Sequence, residues 1–155
     1  MEIRKAEKQE LKELIPIYKD VFKKHNIFKK PDQEVQKYLE AAKGIFLVAV
    51  EYEKIVGGLL IVIELSNPRH KRTRFKHIAV AEGYRDKGIG SALLKAAEKL
   101  TRTGKVEIHL SENEKDALNY YKKNGYKIEG KLSSHYRLGE ICYILGKEVE
   151  QNAGE

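Results

Sequence analysis

Val80-Ala81-Glu82-Gly83-Tyr84-Arg85-Asp86-Lys87-Gly88-Ile89-Gly90-Ser91 is the stretch on which the reading of this chain turns. Before it, Thr73 to Val80 is rich in β-branched and apolar residues and predicts a strand. After it, Ile89, Ala92, Leu93, Ala96, Ala97 and Leu100 recur at three- and four-residue spacing and predict a helix ending near Thr103 and Gly104. A helix start has amide N–H groups without intrahelical acceptors and carries partial positive charge, so a phosphate fits there. Gly88 and Gly90 have no side chain to hold a phosphate away from the main chain, and Arg85 and Lys87 add formal positive charge.

Three phosphate loops can be told apart by the residues next to their glycines. A Walker loop needs Lys and then Ser or Thr directly after its second glycine. Gly83 and Gly88 have the right separation, but Ile89 and Gly90 come next. A dinucleotide fingerprint needs a third small residue where Leu93 stands. The remaining pattern is Arg-x-x-Gly-x-Gly, here Arg85 to Gly90, placed after a strand and opening a helix.

Working outward, Leu11, Leu14, Ile15, Tyr18 and Phe22 predict an amphipathic helix from about Glu7 to Lys24, kinked at Pro16. Val35, Tyr38, Leu39 and Ala42 predict a second helix that starts after Pro31 and Asp32 and closes at Gly44. Ile45 to Val50 and Ile55 to Leu65 read as two strands of a hairpin buried on both faces. In the strand from Thr73 to Val80 the apolar positions pass from odd (Phe75) to even (Ile78, Val80), which predicts a β-bulge. Val106 to Leu110 is a strand, Glu114 to Lys123 a helix stopped by Asn124 and Gly125, and Lys127 to Leu132 and Ile141 to Val149 are strands. The order is β, α, α, β, β, β, α, β, α, β, β.

With that order, the loop and a second segment, Ala117, Tyr120, Tyr121, Lys122, Lys123, Gly125 and Tyr126, the sequence resembles the GNAT acetyltransferases. Val80 stands where the family has the valine of Val-x-Pro, with Glu82 replacing the proline. The resemblance implies an α/β fold of mixed α+β character, the GNAT acyl-CoA N-acyltransferase fold: a mixed central sheet with splayed parallel strands, flanked by helices. It implies an enzyme that moves acetyl from acetyl-CoA, as co-substrate, to a primary amine by direct attack. The main chain of Ile78, Ala79 and Val80 would bond the pantetheine arm, and Arg85, Asp86, Lys87, Gly88, Ile89, Gly90 and Ser91 would hold the pyrophosphate. Tyr121 matches the tyrosine near the cofactor sulfur and becomes the general acid; His109 is the choice for general base, with His77, Glu82 and Glu64 as rivals and ordered water, which many relatives use, as the other alternative. Glu114 stands where an asparagine contact to the cofactor is frequent, and Asn113 is one position early.

Composition bounds the rest. The 155 residues are 41% hydrophobic and 34% charged, enough for one domain over 1–150, with a flexible tail over 151–155. The apolar runs fall well short of the roughly 20 residues of a membrane helix, and no apolar leader follows Met1, so a cytoplasmic protein without a membrane partner is expected. Cys142, the one cysteine, reads as a small buried hydrophobe. Histidines 25, 70, 77, 109 and 135 are scattered without ligand spacing, so no metal is expected. The net charge of +7 and the run Arg69 to Lys76 leave a nucleic-acid-binding module as the alternative from another class, although no reading helix is evident. A catalytically silent GNAT fold that senses acyl-CoA is the other alternative. The expected partner is an amine acceptor, small molecule or protein, and the sequence leaves room for a homodimer.

Overall fold

The computed structural model describes residues 1–150; the tail expected over 151–155 lies outside the described residues. The described strands are β1 (Glu2–Lys5), β2 (Ile45–Glu51), β3 (Lys54–Asn67), β4 (His70–Val80), β5 (Gly104–Ser111), β6 (Lys127–Ser133) and β7 (Ile141–Val149). The described α-helices are α1 (Ile15–Val21), α2 (Asp32–Ala41), α3 (Ile89–Thr101) and α4 (Lys115–Lys123). The strands form a mixed sheet in the order β1-β2-β3-β4-β5-β7-β6. Strands β4 and β5 run parallel, and parallel neighbours need a long crossover, which α3 supplies. Their ladder runs from Lys71 with Gly104 to Arg74 with Glu107, while the strands themselves are 11 and 8 residues long. On its other side β5 is paired with β7 along its whole length, from Gly104 with Val149 to Ser111 with Cys142.

By contact density the chain falls into two compact units, one of residues 1–62 and 77–97, the other of residues 63–76 with the segment from Glu98 onward. In the first, the expected long helix is in fact two pieces. Residues Lys8–Leu14 form a 3-10 turn, and α1 begins at Ile15 with Pro16 in its first turn. Proline lacks an N–H that the first helical turn would leave unbonded in any case, so Pro16 starts a helix and does not kink one. Glu10 accepts from the Glu7 amide at 2.9 Å and is clamped by Arg4 at 2.7 and 2.8 Å, which fixes the entry of the 3-10 turn. Leu11, Leu14, Ile15, Ile17 and Tyr18, with Val35 and Leu39 of α2, pack on Phe46, Val48, Ile55, Leu60 and Ala79 from the sheet. The β2–β3 hairpin turns on Tyr52 (φ 46°) and Glu53 (φ 64°), two left-handed residues in the place usually taken by Asn-Gly.

His77, inside β4, also has positive φ, 53°. A left-handed residue in a strand reverses the local alternation, and it stands where the apolar pattern slips phase. Its ring lies against Tyr18 and Phe28, and its Nε2 is 2.8 Å from the Tyr38 hydroxyl.

In the second unit β5, β7 and β6 form an antiparallel ladder, and α3 continues to Thr101, whose hydroxyl meets that of Thr73 at 2.9 Å in a fully buried pair. Tyr126 donates to Glu98 at 2.7 Å, and Lys147 bonds both Glu98, at 3.0 Å, and the Asn124 carbonyl, at 2.9 Å, which secures the end of α4.

Gly58 marks the tightest helix-to-sheet approach in the first unit: a Cβ there would stand 2.6 Å from Leu14 Cδ2 and 3.2 Å from Tyr18 Oη. Leu14 and Tyr18 are wholly buried and have nowhere to retreat. Gly58→Ala is therefore expected to lower the unfolding free energy by about 1–3 kcal/mol in a denaturant titration.

Candidate active site

The turn between β4 and α3 is built on left-handed backbone: Gly83 at φ 87°, Asp86 at 61° and Gly88 at 81°. Glycine takes this conformation without strain and aspartate is among the few other residues that tolerate it. A Cβ placed on Gly83 or Gly88 would meet no heavy atom within 4 Å outside the adjacent residues, so the space beside each of these glycines is open in that direction. The first helical bond at its end is Ala92 N–H to the Gly88 carbonyl at 3.0 Å. The amides from Gly88 to Gly90 thus lie ahead of the first full turn, where a helix offers donors to an anion.

Arg85 holds this turn in place. Its Nε donates to the Val80 carbonyl at 2.9 Å and its Nη2 to Asp20 on α1 at 2.8 Å, and this bond holds the Asp20 carboxyl below its usual pKa. Lys87 Nζ lies 5.7 Å over the Tyr84 ring. Ala81 N–H bonds the Val56 carbonyl at 2.7 Å, so the main chain just after Ile78, Ala79 and Val80 is fixed to β3. The guanidinium expected to face the pyrophosphate is thereby engaged at the base of the turn, by a partner, Asp20, that sequence reasoning missed because it lies 65 residues from Arg85.

The second unit carries Tyr121, His109, Asn113 and Glu114. Tyr121 is 8% exposed, and burial first, then the nearby Glu114 and Tyr120, pushes its phenol well above the ordinary tyrosine value. Its ring meets Tyr120 at 5.5 Å and Tyr126 at 6.0 Å. His109 on β5 is half-buried; burial first, then Arg74, His135 and Lys76, pushes its pKa down to about 4. It is neutral at pH 7, and its Nδ1 is buried without a hydrogen-bond partner among the described residues. Glu114 caps the start of α4 and accepts from the Ser111 amide at 3.1 Å. Asn113 gives its side-chain amide to Glu140 at 3.1 Å, and Glu140 also takes the Ser111 hydroxyl at 2.6 Å and Arg137 Nε at 3.1 Å. Both residues near the family's asparagine position are therefore already bonded within the chain.

A family model described as the acetyltransferase (GNAT) domain matches residues 42–128. An N-alpha-acetyltransferase of Sulfurisphaera tokodaii is 33% identical over 119 residues, covering 70% of this chain and 71% of that protein. The chain belongs to the GNAT acetyltransferases. Solved structures agree in fold: Arabidopsis thaliana Naa50 in complex with the bisubstrate analogue CoA-Ac-MVNAL has 21% identity and a TM-score of 0.73 over 95% of this chain and 97% of its own. Aminoglycoside 6'-N-acetyltransferase from Enterococcus faecium has 17% identity and a TM-score of 0.76 over 99% of each chain. As a GNAT member this protein is an acetyl-CoA-dependent N-acetyltransferase with the expected mixed sheet flanked by helices.

Of the rival bases in this GNAT chain, Glu64 and Glu82 are not buried, and His77 is engaged with Tyr38. In the basic run, Arg69 and His70 are exposed, but Arg74 and Lys76 are half-buried, and burial, then Arg74, lowers the Lys76 pKa. Among the described residues no helix is long and apolar enough to cross a membrane. Arg85→Lys keeps the charge but loses the forked reach to Val80 and Asp20. Faster amide hydrogen exchange over residues 82–88 is the expected outcome, with exchange in α2 unchanged.

Proposed function

We propose that this protein transfers acetyl from acetyl-CoA to the α-amino group of a protein amino terminus. The observation that carries the cofactor half is the open, left-handed turn at Gly88 ahead of α3, a ready cradle for a pyrophosphate. The acceptor half rests on the likeness to the N-alpha-acetyltransferase.

In this reading the turn amides and Lys87 bind the diphosphate, and Arg85 acts as a positioning residue through Val80. The main chain of Ile78 to Val80 takes the pantetheine arm. The acceptor nitrogen bonds to the thioester carbon, the carbon–sulfur bond breaks, the sulfur takes up a proton and the nitrogen loses one. Tyr121, kept protonated by burial and by Glu114, donates a hydrogen bond and then its proton to the departing thiolate. His109 has its lone pair free at neutral pH, but an imidazole near 4 holds a proton only briefly. It serves as a relay to solvent, which re-supplies the proton to Tyr121.

Acetyl-CoA at 100 times its Kd stabilises a protein by about 2.7 kcal/mol, so a raised Tm is expected. Gly88→Glu abolishes that rise by placing bulk and negative charge against the phosphates, beyond the about 1–2 kcal/mol that left-handed strain removes from the free protein. A wild-type protein with no shift and no competition by coenzyme A would sink the reading. Tyr121→Phe is expected to lower kcat about 100-fold while leaving the KM for acetyl-CoA within about threefold, measured by thiol release with a peptide acceptor. An aminoglycoside turned over faster than every peptide would overturn the acceptor assignment.

A further inference from the structure

In sequence the histidines are scattered along the chain, without the spacing of metal ligands. In the second unit the fold nevertheless gathers two of them with the cysteine. His109 lies opposite Ile144 in the β5–β7 ladder, and Cys142 lies opposite Ser111. In an antiparallel pair the residue two positions from the direct partner projects from the same face, so His109 and Cys142 are diagonal neighbours. The β6–β7 connection then brings His135 over them. Ser134 takes left-handed backbone (φ 51°), its amide bonds the Glu140 carbonyl at 2.9 Å, and its hydroxyl accepts from the Gly139 amide at 2.9 Å. The His109 and His135 rings meet edge-on with centroids 5.8 Å apart. One donor atom from each of His109, His135 and Cys142 lies within 4.8 Å of the other two.

We propose that His109, His135 and Cys142 form a binding site for a thiophilic divalent cation such as Zn²⁺, with a fourth position open.

Zinc takes imidazole nitrogen at about 2.0–2.1 Å and thiolate sulfur at about 2.3 Å, so tetrahedral ligand atoms stand roughly 3.4–3.7 Å apart. The observed spread closes to that distance with a shift of about 1 Å, and His135 is on an exposed connection free to make it. A second observation points the same way: His109 Nδ1 is buried and bonds nothing among the described residues, so an imidazole sits at the cluster with ligand capacity unspent. Arg74 and Lys76 flank His109, and the Tyr136 hydroxyl faces Cys142 and Arg74. Those two positive charges weigh against hard cations, which bring charge without covalency. A thiolate cancels one charge of the incoming ion and selects a soft metal over Mg²⁺ or Ca²⁺. Binding releases the thiol proton to solvent and changes no oxidation state. Where the acetyl-transfer reading holds, an occupied site also withdraws His109 from the proton relay, so the metal acts as an inhibitor of turnover.

The test uses Co²⁺ as a spectroscopic stand-in, titrated into the full chain without acetyl-CoA after chelator treatment. The expected result is a thiolate-to-cobalt band in the near ultraviolet and tetrahedral bands in the visible, saturating at about one ion per chain. Zn²⁺ should bleach both. Cys142→Ser should lose the near-ultraviolet band, and His135→Ala should weaken Co²⁺ binding at least about tenfold. Because Cys142 is buried, the folding of its variant is checked by its melting curve; the exposed His135 keeps the test decisive if that variant fails to fold. Absence of the near-ultraviolet band in the wild type, or a Kd unchanged in His135→Ala, overturns the proposal. Neither result depends on acetyl-CoA, so failure of the metal site and failure of the proposed enzymatic reading are told apart.

Discussion

A diphosphate can only be held by main-chain amides if the chain presents several of them outward at once, and L-residues resist the backbone this requires. In the proposed reading this requirement falls to three left-handed residues within six positions, Gly83, Asp86 and Gly88. In the turn they make, beyond the adjacent residues, no heavy atom stands within 4 Å of where a Cβ on Gly83 or Gly88 would be. Such a turn would wander if nothing held its base. The Arg85 fork to Val80 and Asp20 ties it to the end of β4 and to α1, and the Ala81 amide ties the strand end to β3. If the turn takes the diphosphate as proposed, these ties spare it the ordering cost that a free glycine loop would meet on binding.

The β4 strand shows how one chain segment satisfies two demands. Through Arg74 its backbone is committed to the parallel ladder with β5. Beyond that, the left-handed His77 shifts the phase, which lets His77 and Ala79 face the aromatic and aliphatic core under α1 and α2. The sequence carries this as a slip from Phe75 to Ile78, which signals an irregularity there and matches the left-handed His77. It does not carry which residue takes the strained conformation. A histidine with its ring bonded to Tyr38 and packed tilted on Tyr18 and edge-on to Phe28 compensates for that strain by packing, and none of those partners is near it in sequence.

That contrast explains which features are legible in the string of residues. The position of α3 comes from its three- and four-residue periodicity, and that of the β2–β3 hairpin from two continuous apolar runs. The glycine turn is legible because its residues are contiguous and its conformation is dictated locally. Pro16 is ambiguous, because a proline in an apolar helical pattern signals either a kink or a first turn, and only the 3-10 segment before it decides between them. Asp20 and Glu140 are invisible because each acts on a partner more than 25 residues away.

The same distinction separates two kinds of polar residue in the second unit. Tyr121 has a raised pKa because helix α4 buries it beside Tyr120 and Glu114, neighbours within seven positions, so a local motif is enough to single it out. His109 owes its depressed pKa to burial and to cations and an imidazole brought from β4 and the β6–β7 connection. A titratable group tuned by local neighbours belongs to a motif and can be read from a string of letters. One tuned by cross-strand neighbours belongs to the sheet register, and a change of two residues in the pairing of β5 with β7 would dissolve its environment while leaving every motif intact.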